Sequence, residues 1–321
     1  MTKDETIGIV VIGRNESAHL TACLKSIGSH LARTVYADSA STDHSAQIAT
    51  QAGALVVNID PSAPLTPARG RNEGFERLQH LLPVCDFVQF VDGDSVVEPG
   101  WIETAASFLR QNDRVAVVCG HVEEAHPNSS VYNWLCGDEW SGPVGRIDAC
   151  GGNAMIRTAA LRDSGGFRSE LVAGEEAELM ARIRKRGWEI WRLDRPMVTH
   201  DANILTFGDW WRRNRRGGFA AANVWWITRK SPDTVYGAQL RSPVLWVIAW
   251  PLAVVLLGLL VRQPDALLLI PAGWLVQIAR TAAKRGFFNL DAWRYATMIM
   301  LARIPETLGV LRFVGKRAFG R

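Results

Sequence analysis

Five short apolar runs, at residues 7–12, 34–37, 54–59, 87–91 and 115–119, are each followed by polar residues and, after the first four, by a helical pattern. This rhythm constrains the chain more than any other feature. Continuous runs rich in β-branched residues are the mark of strands buried on both faces. Helices are expected near residues 18–28, up to about residue 52, over 69–82 and over 99–110. Asn15, Glu16 and Ser17 precede the first, Ser41, Thr42 and Asp43 precede the second, and Pro99 opens the last. Strand, helix, strand at this spacing predicts an α/β domain with a mostly parallel sheet and helices on both faces. In such sheets ligands gather beyond the carboxyl ends of the strands. Interest therefore falls on Asn15 and Glu16, Asp38, and Asp92-Gly93-Asp94.

The last triplet is the sharpest. Gly93 permits a tight turn, and two carboxylates one residue apart can hold a divalent cation from one side. Hard oxygen ligands suit Mg²⁺ or Mn²⁺, with a diphosphate completing the shell. An acidic turn after a strand would look the same, so the triplet gains weight only from its neighbours. No GxGxxG and no GxxxxGK[ST] is present, which excludes the usual dinucleotide fingerprint and the P-loop. Five cysteines without a CxxC pair argue against a zinc ribbon or a disulfide scaffold and fit a reducing compartment. The opening MTKDETIGIV lacks a basic segment followed by a long apolar stretch, so no signal peptide is expected.

Charge divides the chain. Residues 1–201 carry 19 Lys and Arg against 27 Asp and Glu, a balance of −8; residues 202–321 carry 17 against 5, a balance of +12. The second part also holds eight of the thirteen tryptophans. Residues 242–261 contain no charge and are long enough to span a bilayer. Residues 266–279 are also uncharged but short for a full span. Basic residues flank both outer ends (Arg229, Lys230 and Arg241 before, Arg280, Lys284 and Arg285 after), the pattern of a hairpin, spanning or partly re-entrant, with both ends in the cytoplasm. Trp246, Trp250 and Trp274 suit interface anchors. Residues 281–321 read as a basic amphipathic tail on an anionic surface. The expected division is 1–220 for the α/β domain and 221–321 for a helical membrane-associated region with its hairpin at 242–280. A buried helical core or a dimer interface is the competing reading of that region.

Five elements in order resemble the GT-A glycosyltransferases of family 2. They are Val11-Ile12-Gly13-Arg14-Asn15-Glu16, the segment from Asp38 to Asp43, Arg71-Asn72-Glu73-Gly74, Asp92-Gly93-Asp94, and Glu175-Glu176-Ala177-Glu178-Leu179. The likeness covers residue 6 to about 220. It implies a Rossmann-like GT-A sheet with Asn15, Glu16, Asp38, Arg71 and Asp92 binding a nucleotide-sugar donor. Gly152 and Asn153 would approach the donor sugar, and Asp94, Asp92 and His200 would hold Mg²⁺ or Mn²⁺. Glu176 takes the place of the family's catalytic Asp, with Glu175 as second candidate. The reaction needs such a group, because the acceptor hydroxyl must lose a proton as it attacks the anomeric carbon. Three carboxylates within four residues are expected to raise one another's pKa. Asp148 and Cys150 would line the acceptor side. The segment from Trp210 to Gly218 lacks the Q-x-x-R-W arrangement of polymerising members, which argues for single transfer, while Arg213 and Arg216 would meet the diphosphate or anionic lipid.

The expectation is thus an inverting, metal-dependent hexosyltransferase. It moves one sugar from a UDP-type donor to a lipid-linked or saccharide acceptor at the cytoplasmic face of a bacterial inner membrane, in surface polysaccharide biosynthesis. No nucleic-acid partner is expected. A sugar nucleotidyltransferase and a non-catalytic membrane scaffold of the same fold are the alternatives.

Overall fold

The computed structural model describes residues 6–320. Residues 1–5, on which the signal-peptide expectation partly rests, lie outside the described residues. The chain divides into two compact units, at 205/206.

Among the described residues the first unit has nine strands: β1 (Ile7–Gly13), β2 (Thr34–Asp38), β3 (Leu55–Asn58), β4 (Phe87–Asp92), β5 (Ser95–Val97), β6 (Val115–Glu124), β7 (Gly145–Ile147), β8 (Ala154–Arg157) and β9 (Glu189–His200). Its helices are α1 (Leu20–Ile27), α2 (Ser45–Ala52), α3 (Pro67–Leu81), α4 (Trp101–Gln111), α5 (Val131–Trp140), α6 (Thr158–Asp163) and α7 (Glu175–Lys185). One sheet runs in the order β3-β2-β1-β4-β8-β6-β9-β5, and β7 adds to β9. The pairs β1–β2, β1–β4, β2–β3 and β6–β9 are parallel; β4–β8, β6–β8, β5–β9 and β7–β9 are antiparallel. The sheet is therefore mixed, with its longer ladders parallel, as expected, and shorter antiparallel ones beside them. Its parallel part is what the apolar runs foretold. The antiparallel part comes from β5, β7, β8 and β9, which carry no such run. β9 includes Arg192, Asp194, Arg195 and Pro196 and pairs with β6 through register shifts, so its periodicity is broken.

Packing explains the order. On α1, Leu20, Cys23, Leu24 and Ile27 share one buried face against the sheet, at the helical spacing. Helix α3 comes close to β1 because Gly74 has no side chain: a Cβ there would lie 2.6 Å from Val10 Cγ1. Arg71, nearly one turn earlier on α3, is thereby carried to the carboxyl end of the sheet. Register does the rest. Gly13 pairs with Asp38, and Ile12 with Asp92, so the acidic ends of β2 and β4 align on either side of the end of β1. Ser95 and Glu124 both pair with His200, which brings the end of β9 beside Asp94.

The second unit is helical: α8 (Phe207–Thr228), α9 (Gly237–Val244), α10 (Trp250–Val261), α11 (Leu269–Gly286) and α12 (Leu290–Phe319). The boundary expected at residue 220 falls inside α8, which packs on α12 as one piece. The two backbones touch because Gly218 faces the carbonyl of Glu306 and Gly309 faces that of Arg215, with no room for a Cβ at either. A π-helical turn joins α9 to α10, giving a continuous helix Gly237–Val261, and a 3₁₀ turn extends α11 to Pro264–Gly286; both are long and apolar enough to cross a membrane. The second is 23 residues, so the charge-free stretch understated it. Trp250 donates to the carbonyl of Ile270 (3.3 Å) and Trp274 to that of Trp246 (3.0 Å), so these indoles bind the hairpin's two arms together, a role beyond that of interface anchors. The tail is a single helix, α12, with Ala296, Met300, Pro305, Gly309 and Phe313 buried.

Candidate active site

Arg71 is the centre of the site. Its guanidinium is buried and makes three ion pairs: Nη2 to Asp92 Oδ1 at 2.9 Å, Nη1 to Glu175 Oε1 at 2.7 Å, and Nη1 to Glu176 Oε1 at 3.4 Å. The Phe167 ring lies 5.5 Å from the guanidinium carbon. Burial works against this charge, but Asp92, Glu176 and Glu175 outweigh it and hold the pKa above the ordinary arginine value. One cation thus gathers three carboxylates from two distant segments. Gly152 closes the group, since a Cβ there would overlap Arg71 Nη2 and lie 3.2 Å from Glu176 Oε1.

Glu175 and Glu176 are not equivalent. The Glu175 side chain is 2% exposed, whereas that of Glu176 is 21% exposed. Burial, then the charge of Glu175, push the Glu176 carboxyl up to about 7, Arg71 offsets part of this, and Asp92 adds to it. Glu178 does not join them, contrary to expectation. It faces Arg168 (2.7 Å) and Arg182 (2.7 Å), and Arg182 also reaches the carbonyls of Ser164 and Gly166. Its work is to brace the 164–170 segment, from which Phe167 covers Arg71. Asn72 grips the same segment from α3, donating to Phe167 O at 2.7 Å and accepting its N–H at 2.9 Å.

Asn153 turns to Asp92. Its Oδ1 accepts the Asp92 N–H at 2.9 Å, and its Nδ2 donates to Ser95 Oγ at 3.2 Å and lies 3.4 Å from Asp92 Oδ2. It positions the acidic turn, so its side chain is already engaged and not left open for a donor. Gly93 is required at the turn by close approach: its N–H donates to Ile12 O at 2.8 Å, and a Cβ would lie 3.1 Å from that oxygen. Asp94 Oδ1 meets His200 Nε2 at 3.0 Å. Burial lowers the pKa of this histidine, but the Asp94 hydrogen bond and the charges of Asp94 and Asp92 more than compensate, so it is raised overall. Trp140 lies against the ring, centroids 4.7 Å apart.

Glu16 lies under the same acidic turn, and burial together with Asp94 and Asp92 pushes its carboxyl up to about 7. Asn15 sits in the left-handed region (φ 61°), where Asn is tolerated. Its Oδ1 accepts the Thr42 N–H at 2.8 Å and its own N–H donates to Ser41 Oγ at 2.9 Å, tying the loops after β1 and β2. Asp38 is buried, and its Oδ2 accepts the Ser41 N–H at 2.8 Å, while Oδ1 is buried without a hydrogen-bond partner. A ligand N–H would satisfy that oxygen. Cys150 packs on Met180, and Asp148 is exposed on the surface. Arg213 and Arg216 lie on α8, in the second unit.

Among the described residues no three His, Cys, Asp or Glu side chains form a preformed metal cage. Asp94 and His200 fit as adjacent ligands, since donor atoms at ~2.1 Å from an octahedral ion lie about 3 Å apart. Four contributors had little sequence signal: Asn72, Ser95, Trp140 and Phe167. Only Asn72, beside Arg71 in its motif, was within reach of a reading by spacing.

The family model for glycosyl transferase family 2 matches residues 8–164, and that for glycosyl transferase family group 2 matches residues 87–284. No curated protein matches the chain in sequence. The structure is similar to that of the mannosyltransferase PcManGT from Pyrobaculum calidifontis in complex with GDP-Man and Mn²⁺, with TM-score 0.62, 16% identity, and 97% of this chain and 88% of that one covered. It is also similar to S. aureus TarS 1-349 (TM-score 0.51, 15% identity, 98% and 92% covered). A third likeness is to glucosyl-3-phosphoglycerate synthase from Mycobacterium tuberculosis with Mn²⁺, UDP-Glc and phosphoglyceric acid (TM-score 0.50, 17% identity, 70% and 79% covered).

Proposed function

Because the chain belongs to the glycosyl transferase family group 2, whose model spans residues 87–284, we propose that it is an inverting transferase of a single hexose from a nucleotide diphosphate sugar, a UDP-sugar, to a lipid-linked saccharide. The setting is the cytoplasmic face of a bacterial inner membrane, during assembly of a surface polysaccharide. The observation that carries the reading is the Arg71 clamp, which occupies Asp92 and Glu175 and leaves Glu176 the more exposed of the two helix carboxylates, with its pKa near neutrality.

Each residue then has a task. Asp38 Oδ1 accepts an N–H of the nucleotide base, with Asn15 and Glu16 shaping the same end of the pocket. Gly152 lets the donor sugar approach the backbone. Asp94 and His200, with Asp92 beside them, hold Mg²⁺ or Mn²⁺, which supplies positive charge against the leaving diphosphate. Glu176 takes the proton of the acceptor hydroxyl as its oxygen bonds to the anomeric carbon and the bond to the diphosphate breaks on the opposite face. Arg71 keeps Glu176 in place throughout. Support for the donor class comes from the GDP-Man and UDP-Glc complexes of similar fold, and support for the lipid acceptor from two helices of spanning length in the same chain.

A panel of nucleotide sugars, with bacterial membrane lipid extract as acceptor, tests the proposal through released nucleotide and a lipid-soluble sugar product. One donor should give both, and Glu176→Gln should abolish both while retaining donor affinity. Nucleotide release without a lipid-soluble product would overturn the acceptor, and near-normal turnover of the variant would overturn the base.

A further inference from the structure

The second unit holds a cleft of about 1030 Å³ among α8, α9 and the last turns of α12. Trp225, Leu245, Phe313 and Val314 give it apolar walls, Arg241 and Arg317 also line it, and no acidic residue does. The volume lies at the top of the ~300–1,000 Å³ range of ligand pockets, far more than a phosphate alone fills.

A second observation concerns charge. Arg229 and Arg317 both stack on Trp226, their guanidinium carbons 3.5 and 4.4 Å from the ring centroid. Two cations are thus held within about 8 Å of each other, close enough to repel where the surroundings are apolar. Among the described residues no carboxylate lies within ion-pair distance of Arg229, Arg241 or Arg317. The cleft combines a long apolar wall with guanidiniums that have no counter-ion.

We infer that this cleft binds one anionic phospholipid, its phosphate between Arg241 and Arg317 and its chains along Leu245, Phe313 and Val314. The charge selects the head group: planar guanidiniums match phosphate oxygens, and a neutral lipid would leave the cations uncompensated. The walls select the chain, which a soluble phosphate lacks. The inference goes beyond catalysis and does not depend on the identity of the acceptor.

The test uses the full chain in a neutral detergent, with phosphatidylglycerol or phosphatidylcholine added, read by native mass spectrometry and thermal unfolding. Phosphatidylglycerol should give a one-lipid adduct and raise the melting temperature, and phosphatidylcholine should do neither. R241Q/R317Q should weaken retention of phosphatidylglycerol by about tenfold or more, as expected on losing charge-assisted bonds to phosphate. V314W, if its lipid-free circular dichroism and melting are unchanged, should block the adduct by filling the cleft. R280Q/K284Q, outside the cleft, should behave as wild type. Equal effects of the two lipids, equal loss in the R280Q/K284Q control, an undiminished adduct in both cleft variants, the same shift from glycerol phosphate, or a protein dimer in place of the adduct would each overturn it.

Discussion

In the first unit Ile9, Val11, Leu20 and Phe90 are shut away from solvent, whereas in the second Leu259, Leu260 and Leu268 are 71%, 82% and 69% exposed. Both regions are rich in large apolar side chains, so apolar content does not separate them. What separates them is where polar groups go. The first unit gathers Arg71, Asp92, Asp94, Glu175, Glu176 and His200 at the strand ends and pairs them there. The second keeps the arms of its hairpin free of charge, over residues 242–261 and 266–279, and places basic residues at the outer ends. Leucines turned outward along two helices of spanning length mark a surface that needs a cover, and a lipid phase is the cover proposed above.

The comparison can be broken at its most sensitive point first. Glu176→Gln should lower the turnover number by about 10² to 10⁴, the usual contribution of a positioned base, without weakening donor binding. The wild-type rate should rise with pH through about 7, because the carboxyl raised to that value must lose its proton to act. The sign for stability is opposite. A carboxyl raised on folding contributes stability at low pH that is lost as pH rises through its folded value, so Glu176→Gln should remove that loss in a denaturation series.

Arg71→Met comes next. It leaves Glu175 buried without its cation, and removing one partner of a buried pair costs about 3–5 kcal/mol. Chemical denaturation should show this, together with lost activity. Asp94→Ala should abolish metal-dependent donor binding in calorimetry while leaving the melting temperature nearly unchanged, because Asp94 is partly exposed. Unchanged affinity would remove the cation from its assigned ligands.

The contrast between the units themselves is sharpened by two leucines. Leu24→Ala on α1 should cost about 2–5 kcal/mol, as a buried deletion leaves a cavity. Leu260→Ala, in detergent, should stay within ~0.5 kcal/mol, the usual effect at an exposed site. Similar losses at both positions would show that the second unit buries its leucines after all and would remove the argument for a membrane.

Much of this was legible from spacing. Apolar runs marked β1 to β4 and part of β6, because a strand buried on both faces writes an uninterrupted pattern. The acidic ends of β2 and β4 followed directly. β5, β7 and β9 were missed, since they are short or interrupted by charge; β9 is a strand because β6 offers it a partner, and β9 in turn offers one to β5 and β7. Asn153 illustrates the same limit at the site. Its place after two glycines drew attention to it, yet whether it faces a ligand or Asp92 depends on a fold that crosses 61 residues.

The order of residues determined that there would be parallel strands, which carboxylates would cap them, and that a charge-free hairpin would follow, because each of these is written in neighbours a few positions apart. Tertiary structure alone decided that Arg71 would join Asp92 to Glu175 and Glu176 across 104 residues, and that Glu178, two positions further, would turn instead to Arg168 and Arg182. The physical reason is that an ion pair depends on distance in space and on exclusion of water, and neither is set until the sheet has closed around it.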